Sequence, residues 1–211
     1  MSFDLARYAG TCGVPDPENF ALQSEKLQAL VLERNQVVNL TRITGDLEFK
    51  IKHIADSLSL TLMFPELTAL PLKIADLGCG GGFPSLVLAL AFPHWHITAI
   101  DSTRKKLDFV AQAACQLDLN NLQTIHSRIE ELNRQSRYQG TFDLITARAV
   151  APGAKLYALS DRLGSARSRY IFYKTPSQAE EDLAQLGTNW KATSVFDLPE
   201  DSGSRVFVYR Q

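Results

Sequence analysis

The sequence predicts an α/β fold, a mainly parallel, seven-stranded sheet with helices on both faces and a helical extension ahead of it. From residue 73 onward, short apolar segments alternate with amphipathic ones, which is typical of consecutive βα units. The first apolar segment, Lys73–Leu77, runs into a glycine-rich turn over residues 78–82, and Pro84 then favours a helix start. In a doubly wound sheet of this kind, ligands bind at the carboxyl ends of the strands. We therefore expect this turn to contact a ligand.

The composition is that of a globular protein. Of the 211 residues, 45% are hydrophobic and 21% are charged, as in ordinary soluble domains. The chain shows neither a basic, apolar leader nor an apolar run long enough to span a bilayer, so we expect a cytoplasmic protein without a membrane partner. Cys12, Cys79 and Cys115 are too widely spaced for a disulfide framework or a zinc site, and no metal is expected. The net charge is −1, so binding of nucleic acid would require a local cationic patch.

Residues 1–66 are expected to form a helical extension packed on a domain of residues 67–211. Asp16, Pro17 and Glu18 are typical of a helix start, and apolar residues at three- and four-residue steps extend this helix to about residue 39. A second helix follows Asp46. The apolar residues predicted on its buried stripe are Leu47, Ile51, Ile54, Leu58 and Leu62.

A polar stripe on the second helix carries Lys50, His53 and Ser57. One interpretation is a solvated face with an ion pair between Lys52 and Asp56, four residues apart. The other is a face that meets a ligand.

The spacing of the glycines decides between two nucleotide-type ligands. A dinucleotide fingerprint needs a third small residue, but that place holds Phe83 in one register and Ser85 in the other. The spacing instead resembles motif I of the Rossmann-like methyltransferases that bind S-adenosylmethionine (SAM), with its acid and glycines at Asp76, Gly78, Gly80 and Gly82. SAM offers a carboxylate for a helix N-terminus and an ammonium for an acidic side chain. A turn that merely closes tightly is the alternative.

The second strand, residues 96–101, ends at Asp101, about twenty residues beyond the first glycine. An acid at this place can accept hydrogen bonds from both hydroxyls of an adenosine ribose. Arg104, Lys105 and Lys106 then open a helix. Because three cations at a helix start oppose the macrodipole, they are either solvated surface or a phosphate-contacting patch.

The rest of the chain completes the sheet. Strands are predicted over residues 122–126, 142–146 and 169–174, with a closing antiparallel pair at 190–196 and 205–209, and helices over 152–163 and 177–186. The stretch Ser127-Arg128-Ile129-Glu130 follows the third strand, where an adenine ring would lie in this architecture.

The residues after the fourth strand limit the kinds of atom that could accept the methyl group. Thr146-Ala147-Arg148-Ala149 lacks the Asn/Asp-Pro-Pro-aromatic motif of enzymes that methylate exocyclic amines. Neither Cys79 nor Cys115 is placed as the nucleophile that pyrimidine C5 methylation needs. The remaining acceptors are a ring nitrogen or an oxygen activated by a base. Guanine N7 is the leading ring nitrogen, because it is an unprotonated acceptor and needs no general base.

Six segments together resemble the RsmG (GidB) family in order and spacing. They are Asn35-x-x-x-Asn39-Leu40-Thr41, His53-Ile54-x-Asp56-Ser57, Asp76-x-Gly78-x-Gly80-x-Gly82-Phe83-Pro84, Asp101-Ser102-x-x-Lys105-Lys106, Ser127-Arg128-Ile129-Glu130-Glu131 and Ala147-Arg148-Ala149. That family comprises bacterial SAM-dependent enzymes that methylate a guanine N7 in small-subunit (16S) ribosomal RNA. The resemblance covers residues 30–175, most of the chain.

The resemblance implies a class I SAM-dependent methyltransferase and specific contacts. The residues expected to contact SAM on this ground are Gly78, Phe83, Ile129, Glu130 and Arg148. Arg148 either orients the SAM carboxylate or faces O6 of the guanine. The residues expected to contact RNA are Lys50, Lys52, His53, Lys105, Lys106 and Lys174. Ser85 and Thr175 stand where the family usually has glycine, so Ser85 is expected to add a hydroxyl near the methionine end, and Thr175 to alter the substrate side.

The leading hypothesis is therefore a monomeric rRNA guanine-N7 methyltransferase acting on ribosomal RNA or the small subunit. Phe83 or Tyr173 would supply base stacking if it is not part of the core. A small-molecule methyltransferase and a non-catalytic, SAM-containing module that binds RNA or the ribosome are the alternatives, and an NAD-dependent oxidoreductase is the least favoured.

Overall fold

The computed structural model describes residues 3–210. Within this range, eight strands are β1 Lys73–Leu77, β2 His96–Asp101, β3 Leu122–His126, β4 Phe142–Arg148, β5 Gly164–Lys174, β6 Lys191–Ala192, β7 Phe196–Asp197 and β8 Ser204–Arg210. They form one sheet in the order β3-β2-β1-β4-β5-β8-β6, with β7 paired to β8. The first five strands are parallel and β8 runs antiparallel to β5. The predicted α/β class and the mainly parallel sheet are confirmed.

Helices alternate with these strands along the chain. The α-helices are α1 Leu5–Thr11, α2 Pro17–Asn35, α3 Asp46–Phe49, α4 Asp56–Met63, α5 Ser85–Ala91, α6 Arg104–Gln116, α7 Ile129–Asn133, α8 Gly153–Ser160 and α9 Pro176–Gln185. A π-helical segment, Lys50–Ala55, joins α3 to α4, and short 3₁₀ turns cover Pro65–Ala69 and Ser136–Tyr138.

The closing edge strand is divided in two. Lys191 and Ala192 pair with Tyr209 and Val208, whereas Phe196 pairs with Arg205. Three residues, 193–195, lie between the two paired pieces, opposite only two residues of β8, 206–207. The strand therefore contains one extra residue, a β-bulge. The predicted strand at 190–196 is therefore present as two pieces, β6 and β7, which is why eight strands are found instead of seven.

The strand order creates the crevice in which a ligand can bind. β1 lies between β2 and β4, so the chain leaves β3 at one edge and re-enters the sheet on the other side of β1. Connections then diverge at the carboxyl end of β1, which is the switch point of an open α/β sheet. The glycine turn that follows β1 stands at this point.

The N-terminal helices share a core with the sheet. Phe20, Leu27 and Leu58 belong to the same buried hydrophobic cluster as Leu86 and Phe92. Helix α1 had no counterpart in the sequence analysis. The division of the chain at residue 66 stays a prediction.

Three details of the N-terminal region differ from expectation. α2 ends at Asn35 rather than near residue 39. Leu47 is 46% exposed instead of buried, because the π-helical segment that follows changes the helical period and rotates the buried face. Lys52 pairs with Glu48 at 2.6 Å, not with Asp56.

Thr175 stands where the family usually has glycine, but its backbone does not need a glycine's freedom. Thr175 has φ −80° and caps α9, its hydroxyl accepting from Gln178 N while the Gln178 side chain accepts from Thr175 N. This reciprocal capping box satisfies two backbone donors.

Candidate active site

The glycine turn between β1 and α5 depends on its glycines. Gly78, Gly80 and Gly82 have φ of +69°, +55° and +94°, the left-handed region that favours glycine. A Cβ on Gly78 would lie 2.7 Å from a methyl of Val150, and one on Gly82 would overlap Leu86. The turn therefore needs glycine for its backbone and for the close packing of its neighbours.

Asp76 lies beneath this turn with one unused oxygen. Its side chain is 1% exposed, and its Oδ2 accepts from the Ser85 hydroxyl at 2.5 Å and from Ser85 N at 3.2 Å. Oδ1 is buried without a hydrogen-bond partner. Burial raises the pKa of Asp76 from 3.8 to about 6, against the bonds from Ser85 that lower it. A buried, unpaired carboxylate oxygen fits an ammonium group, and the Ser85 hydroxyl orients that carboxylate.

A cavity of about 450 Å³ opens beside the turn, at the carboxyl ends of β1, β2 and β4. The predicted cofactor-binding residues on its wall are Gly78, Gly80, Phe83, Asp101, Ile129, Glu130 and Arg148. Two other predicted residues, Asp76 and Gly82, do not line the cavity but support it from beneath.

Asp101 is placed to hold both the turn and a ribose. Its Oδ2 accepts from Gly80 N at 2.9 Å and its Oδ1 from Thr103 N at 2.7 Å. Because a carboxylate has about four lone-pair sites, Asp101 keeps acceptor capacity for two hydroxyls. Ile129 and Glu130 follow β3 on the same side of the cavity.

A stack of three side chains forms the opposite wall. The ring of His53 lies parallel to that of Phe83, with centroids 4.2 Å apart and planes at 10°, and the Arg148 guanidinium carbon lies 5.6 Å from the Phe83 centroid. Arg148 Nη2 donates to His53 Nδ1 at 3.3 Å. Since a guanidinium can only donate, the proton of the neutral imidazole is on Nε2. Burial first, and then Arg148, lowers the pKa of His53 from 6.5 to about 3.

The Asn-Leu-Thr segment ahead of the sheet supports this stack. Asn35 Oδ1 accepts from Leu40 N and Thr41 N at 2.8 and 3.0 Å, and Asn35 Nδ2 donates to Thr41 O at 2.9 Å. Thr41 Oγ1 lies 2.7 Å from His53 Nε2, and Leu40 packs against the backbone of Gly81. One loop thus fixes the imidazole and touches the glycine turn.

Arg148 is anchored from below by a buried carboxylate shared with a second arginine. Asp56 is 1% exposed; its Oδ2 accepts from Arg148 Nη1 at 2.8 Å, while Arg205 Nε and Nη2 donate to the carboxylate at 2.6 and 2.7 Å. Arg148 Nη1 also donates to Lys52 O at 3.0 Å. Two guanidinium groups on one carboxylate leave a net positive charge beside the cavity. Arg205 was not predicted as a site residue, since a charged residue near the start of a strand carries no signal of its own.

The predicted RNA contacts are in three kinds of environment. Lys105 is exposed and Lys106 lines the cavity. Lys50 and Lys52 lie on the surface but are paired with acids of the preceding helical turn. His53 and Lys174 are only 7% and 6% exposed, so neither offers a surface for RNA. Lys174 instead donates to Ala151 O.

Neither aromatic residue proposed for base stacking is free to provide it. Phe83 is 6% exposed, with His53 on one face and the edge of Phe49 against it. Tyr173 is 1% exposed and donates to Ser57 O at 2.7 Å. Both belong to the core, which the sequence analysis gave as the alternative to base stacking.

The fold and this cavity define a Rossmann-like, SAM-dependent methyltransferase. The solved structure of MtNAS in complex with MTA and tNA is similar in fold, with a TM-score of 0.59 at 11% identity over 90% of this chain and 73% of that one. The ribosomal protein L11 methylase from Lactobacillus delbrueckii subsp. bulgaricus has a TM-score of 0.55 at 16% identity, over 76% of this chain and 78% of that one.

The family is shown by sequence. The model of the GidB family, rRNA small subunit methyltransferase G, matches residues 22–202. The ribosomal RNA small subunit methyltransferase G of Lacticaseibacillus paracasei is 35% identical over 83% of this chain and 75% of that protein. That of Staphylococcus saprophyticus is 33% identical over 97% of this chain and 87% of that protein. The chain belongs to the GidB family of small-subunit rRNA methyltransferases, as the six sequence segments indicated, and its cofactor is SAM.

Proposed function

We propose that this protein transfers the methyl group of SAM to N7 of a guanine in small-subunit (16S) ribosomal RNA. The observation that carries the choice of N7 is that, among residues 3–210, the imidazole and the thiol on the cavity wall, His53 and Cys79, are both unavailable to activate an acceptor. An acceptor that is already nucleophilic needs neither group. N7 of guanine is such an acceptor.

His53 and Cys79 are each held in a state that prevents them from activating an acceptor. Both nitrogens of His53 are engaged, by Arg148 and by Thr41. Cys79 is 2% exposed, and burial raises the pKa of its thiol well above the ordinary value, so it stays protonated. A protonated thiol is a poor nucleophile, which argues against pyrimidine C5 chemistry.

Different residues of the chain bind different parts of the ligands. SAM, when bound, supplies an electrophilic methyl group on its sulfonium. Asp76 Oδ1 would accept from the ammonium of the methionine end, and Asp101 from the ribose hydroxyls. Arg148 lines the wall near the end of β4, where it would orient either the SAM carboxylate or O6 of guanine. Its bonds to Asp56 hold the guanidinium in place before any ligand arrives, which is the preorganisation that a displacement reaction requires.

The RNA is proposed to approach over the cavity mouth. Lys106 and Arg128 line the cavity, and Lys105 is exposed on the first turn of α6. The Arg128 side chain is 69% exposed, and its Nη1 lies 4.0 Å from Glu130 Oε1, which is too far for a hydrogen bond, so the guanidinium can meet a phosphate. Among residues 3–210, no helix is both long and apolar enough to cross a membrane. We further propose that the protein acts as a monomer in the cytoplasm, on ribosomal RNA or the small subunit.

The test is methyl transfer from labelled SAM to small ribosomal subunits that lack the modification, followed by borohydride and aniline treatment, which cleaves RNA at N7-methylguanosine. One new cleavage site that coincides with incorporated label would support the proposal. Incorporation without cleavage would keep the methyltransferase and reject N7. Bound SAM without transfer to subunits or to naked RNA would reject the catalytic proposal.

A further inference from the structure

A second cavity, of about 300 Å³, opens at the carboxyl ends of β4 and β5 and shares Ala149 and Val150 with the first. The groups expected to hold adenosine follow β2 and β3, on the far side of β1. A methyl acceptor has to reach the sulfonium from a direction that neither half of SAM occupies. The second cavity is the adjoining space on the β4 and β5 side.

The wall between the cavities is fixed by a buried ion pair. Lys174 Nζ donates to Ala151 O at 2.8 Å, and Asp182 Oδ1 accepts from Gly153 N at 2.7 Å. Lys174 Nζ lies 2.9 Å from Asp182 Oδ2. The two side chains therefore fix the segment of residues 151–153 by its backbone. Val150, 41% exposed, presents an apolar side chain at the junction of the two cavities.

The facing helix presents one free carboxylate to the cavity. Gln178, Glu181, Asp182 and Gln185 of α9 line it, and their spacing places them on one face of the helix. Glu181 is exposed and makes no ion pair in the described part of the chain. Among the described residues that line the cavity, Lys174 is the only cation, and it is paired with Asp182. The wall therefore suits a ligand whose edge carries hydrogen-bond donors.

Guanine has such an edge. Its N1–H and N2–H₂ groups are adjacent donors that a carboxylate can accept together, whereas adenine presents an unprotonated N1 that a carboxylate repels. N7 and O6 lie away from N2, so a guanine with its donor edge against α9 directs N7 toward the wall shared with the cofactor cavity. Bases that are extruded from RNA are commonly read on their Watson–Crick edge.

We propose that the second cavity holds the acceptor guanine, and that Glu181 selects it by accepting from N1–H and N2–H₂. This inference rests on the proposed function. It makes Glu181 a specificity-determining residue and gives the polar face of α9 a role that the family resemblance did not supply.

The first test compares Glu181→Gln with Glu180→Gln, which makes the same charge change one residue away on an exposed position that does not line the cavity. With unmodified small subunits, Glu181→Gln should lower kcat/KM for RNA about 10- to 100-fold, as expected for loss of charged hydrogen bonds. Glu181→Asp should retain more activity than Glu181→Gln. Glu180→Gln should stay within about twofold of the wild type, and calorimetry should show the same SAM affinity in all variants. Equal kcat/KM for Glu181→Gln and Glu180→Gln would overturn the proposal.

The second test does not depend on turnover. Guanosine 5′-monophosphate is titrated into the protein loaded with S-adenosylhomocysteine, and amide chemical shifts are followed by NMR, with adenosine 5′-monophosphate as the comparison. Guanosine monophosphate should shift residues 149–152 and 178–185 in the wild type and not in Glu181→Gln. Shifts confined to the first cavity, or equal for both nucleotides, would overturn the assignment. If the wild type binds guanosine monophosphate in this way but methylates no RNA, the proposed function fails and the guanine site stands.

Discussion

Replacement of Asp56 by asparagine should destabilise the protein strongly. Asp56 is 1% exposed and accepts three charged hydrogen bonds of 2.6–2.8 Å from Arg148 and Arg205. An asparagine of the same shape removes the negative charge and directs an amide N–H₂ at one of the guanidinium groups. Two buried cations are then left without a counter-charge.

The size of the expected loss of stability depends on how far the two arginines are buried. Removing one partner of a buried ion pair costs about 3–5 kcal/mol. The side chains of Arg148 and Arg205 are 11% and 18% exposed, so water relieves part of this cost and the lower end, about 3 kcal/mol, is expected. For a chain of this size, each kcal/mol shifts the midpoint of thermal unfolding by about 2–4 °C, so Tm should fall by about 6–12 °C.

Thermal and urea unfolding of Asp56→Asn and the matched control Asp46→Asn would measure this effect. Asp46 also pairs with a cation, Lys50, at 3.1 Å, but its side chain is 70% exposed, so its loss should cost no more than about 0.5 kcal/mol. If the two variants lost the same stability, the reasoning that Asp56 holds the two arginines would be refuted.

Four further predictions concern the pH dependence, the turn and the RNA surface. His53 has a pKa of about 3 in the folded protein against 6.5 ordinarily, so the unfolded chain binds more protons between these values. The stability of the wild type relative to His53→Gln, measured by urea unfolding across pH, should therefore fall with decreasing pH by up to about 1.4 kcal/mol per unit; the opposite contribution of Asp76, whose folded pKa is raised, cancels in this difference. Asp76, whose pKa is about 6, must be ionised to hold an ammonium, so calorimetric SAM affinity should fall about tenfold per pH unit below that value and be constant above it up to about pH 8, where an α-amino group loses its proton; Asp76→Asn should lack the dependence below pH 6. Gly78→Asp should abolish SAM binding in calorimetry, because its side chain would meet Val150; unchanged affinity would reject the site. Charge reversal at Lys105 and Lys106 should weaken RNA binding and flatten its salt dependence in filter-binding titrations, whereas an unaltered slope would leave both as solvated surface.

Much of the cofactor cavity follows from local sequence. β1 and the turn are specified by an apolar strand and by glycines at positions with φ > 0, and Asp101 follows from the end of the next strand. These features depend on residues near one another in the chain, so spacing reveals them. The sequence could not show that Asp76 keeps a buried, unpaired oxygen, because that depends on how α5 covers it.

The acceptor side was less accessible to sequence reasoning. Lys174 ends a strand and resembles a surface cation, yet packing of α9 against β5 buries it beside Asp182. Arg205 contacts Asp56 across 149 positions in the chain, and no local pattern encodes such a pairing. Leu47 was assigned to the wrong face because a helical period of 3.6 residues does not anticipate a π-helical segment.

The sequence by itself determined the α/β class, the SAM-binding turn and the family, because strand periodicity, glycine conformations and motif spacing are properties of short segments. Only the tertiary structure decided that His53 covers Phe83, that two arginines share Asp56, and that α9 faces a second cavity with acceptor groups. Those arrangements depend on which side chains lose their water when distant segments pack, and the free energy of burying a charge is set by partners that the sequence alone does not identify.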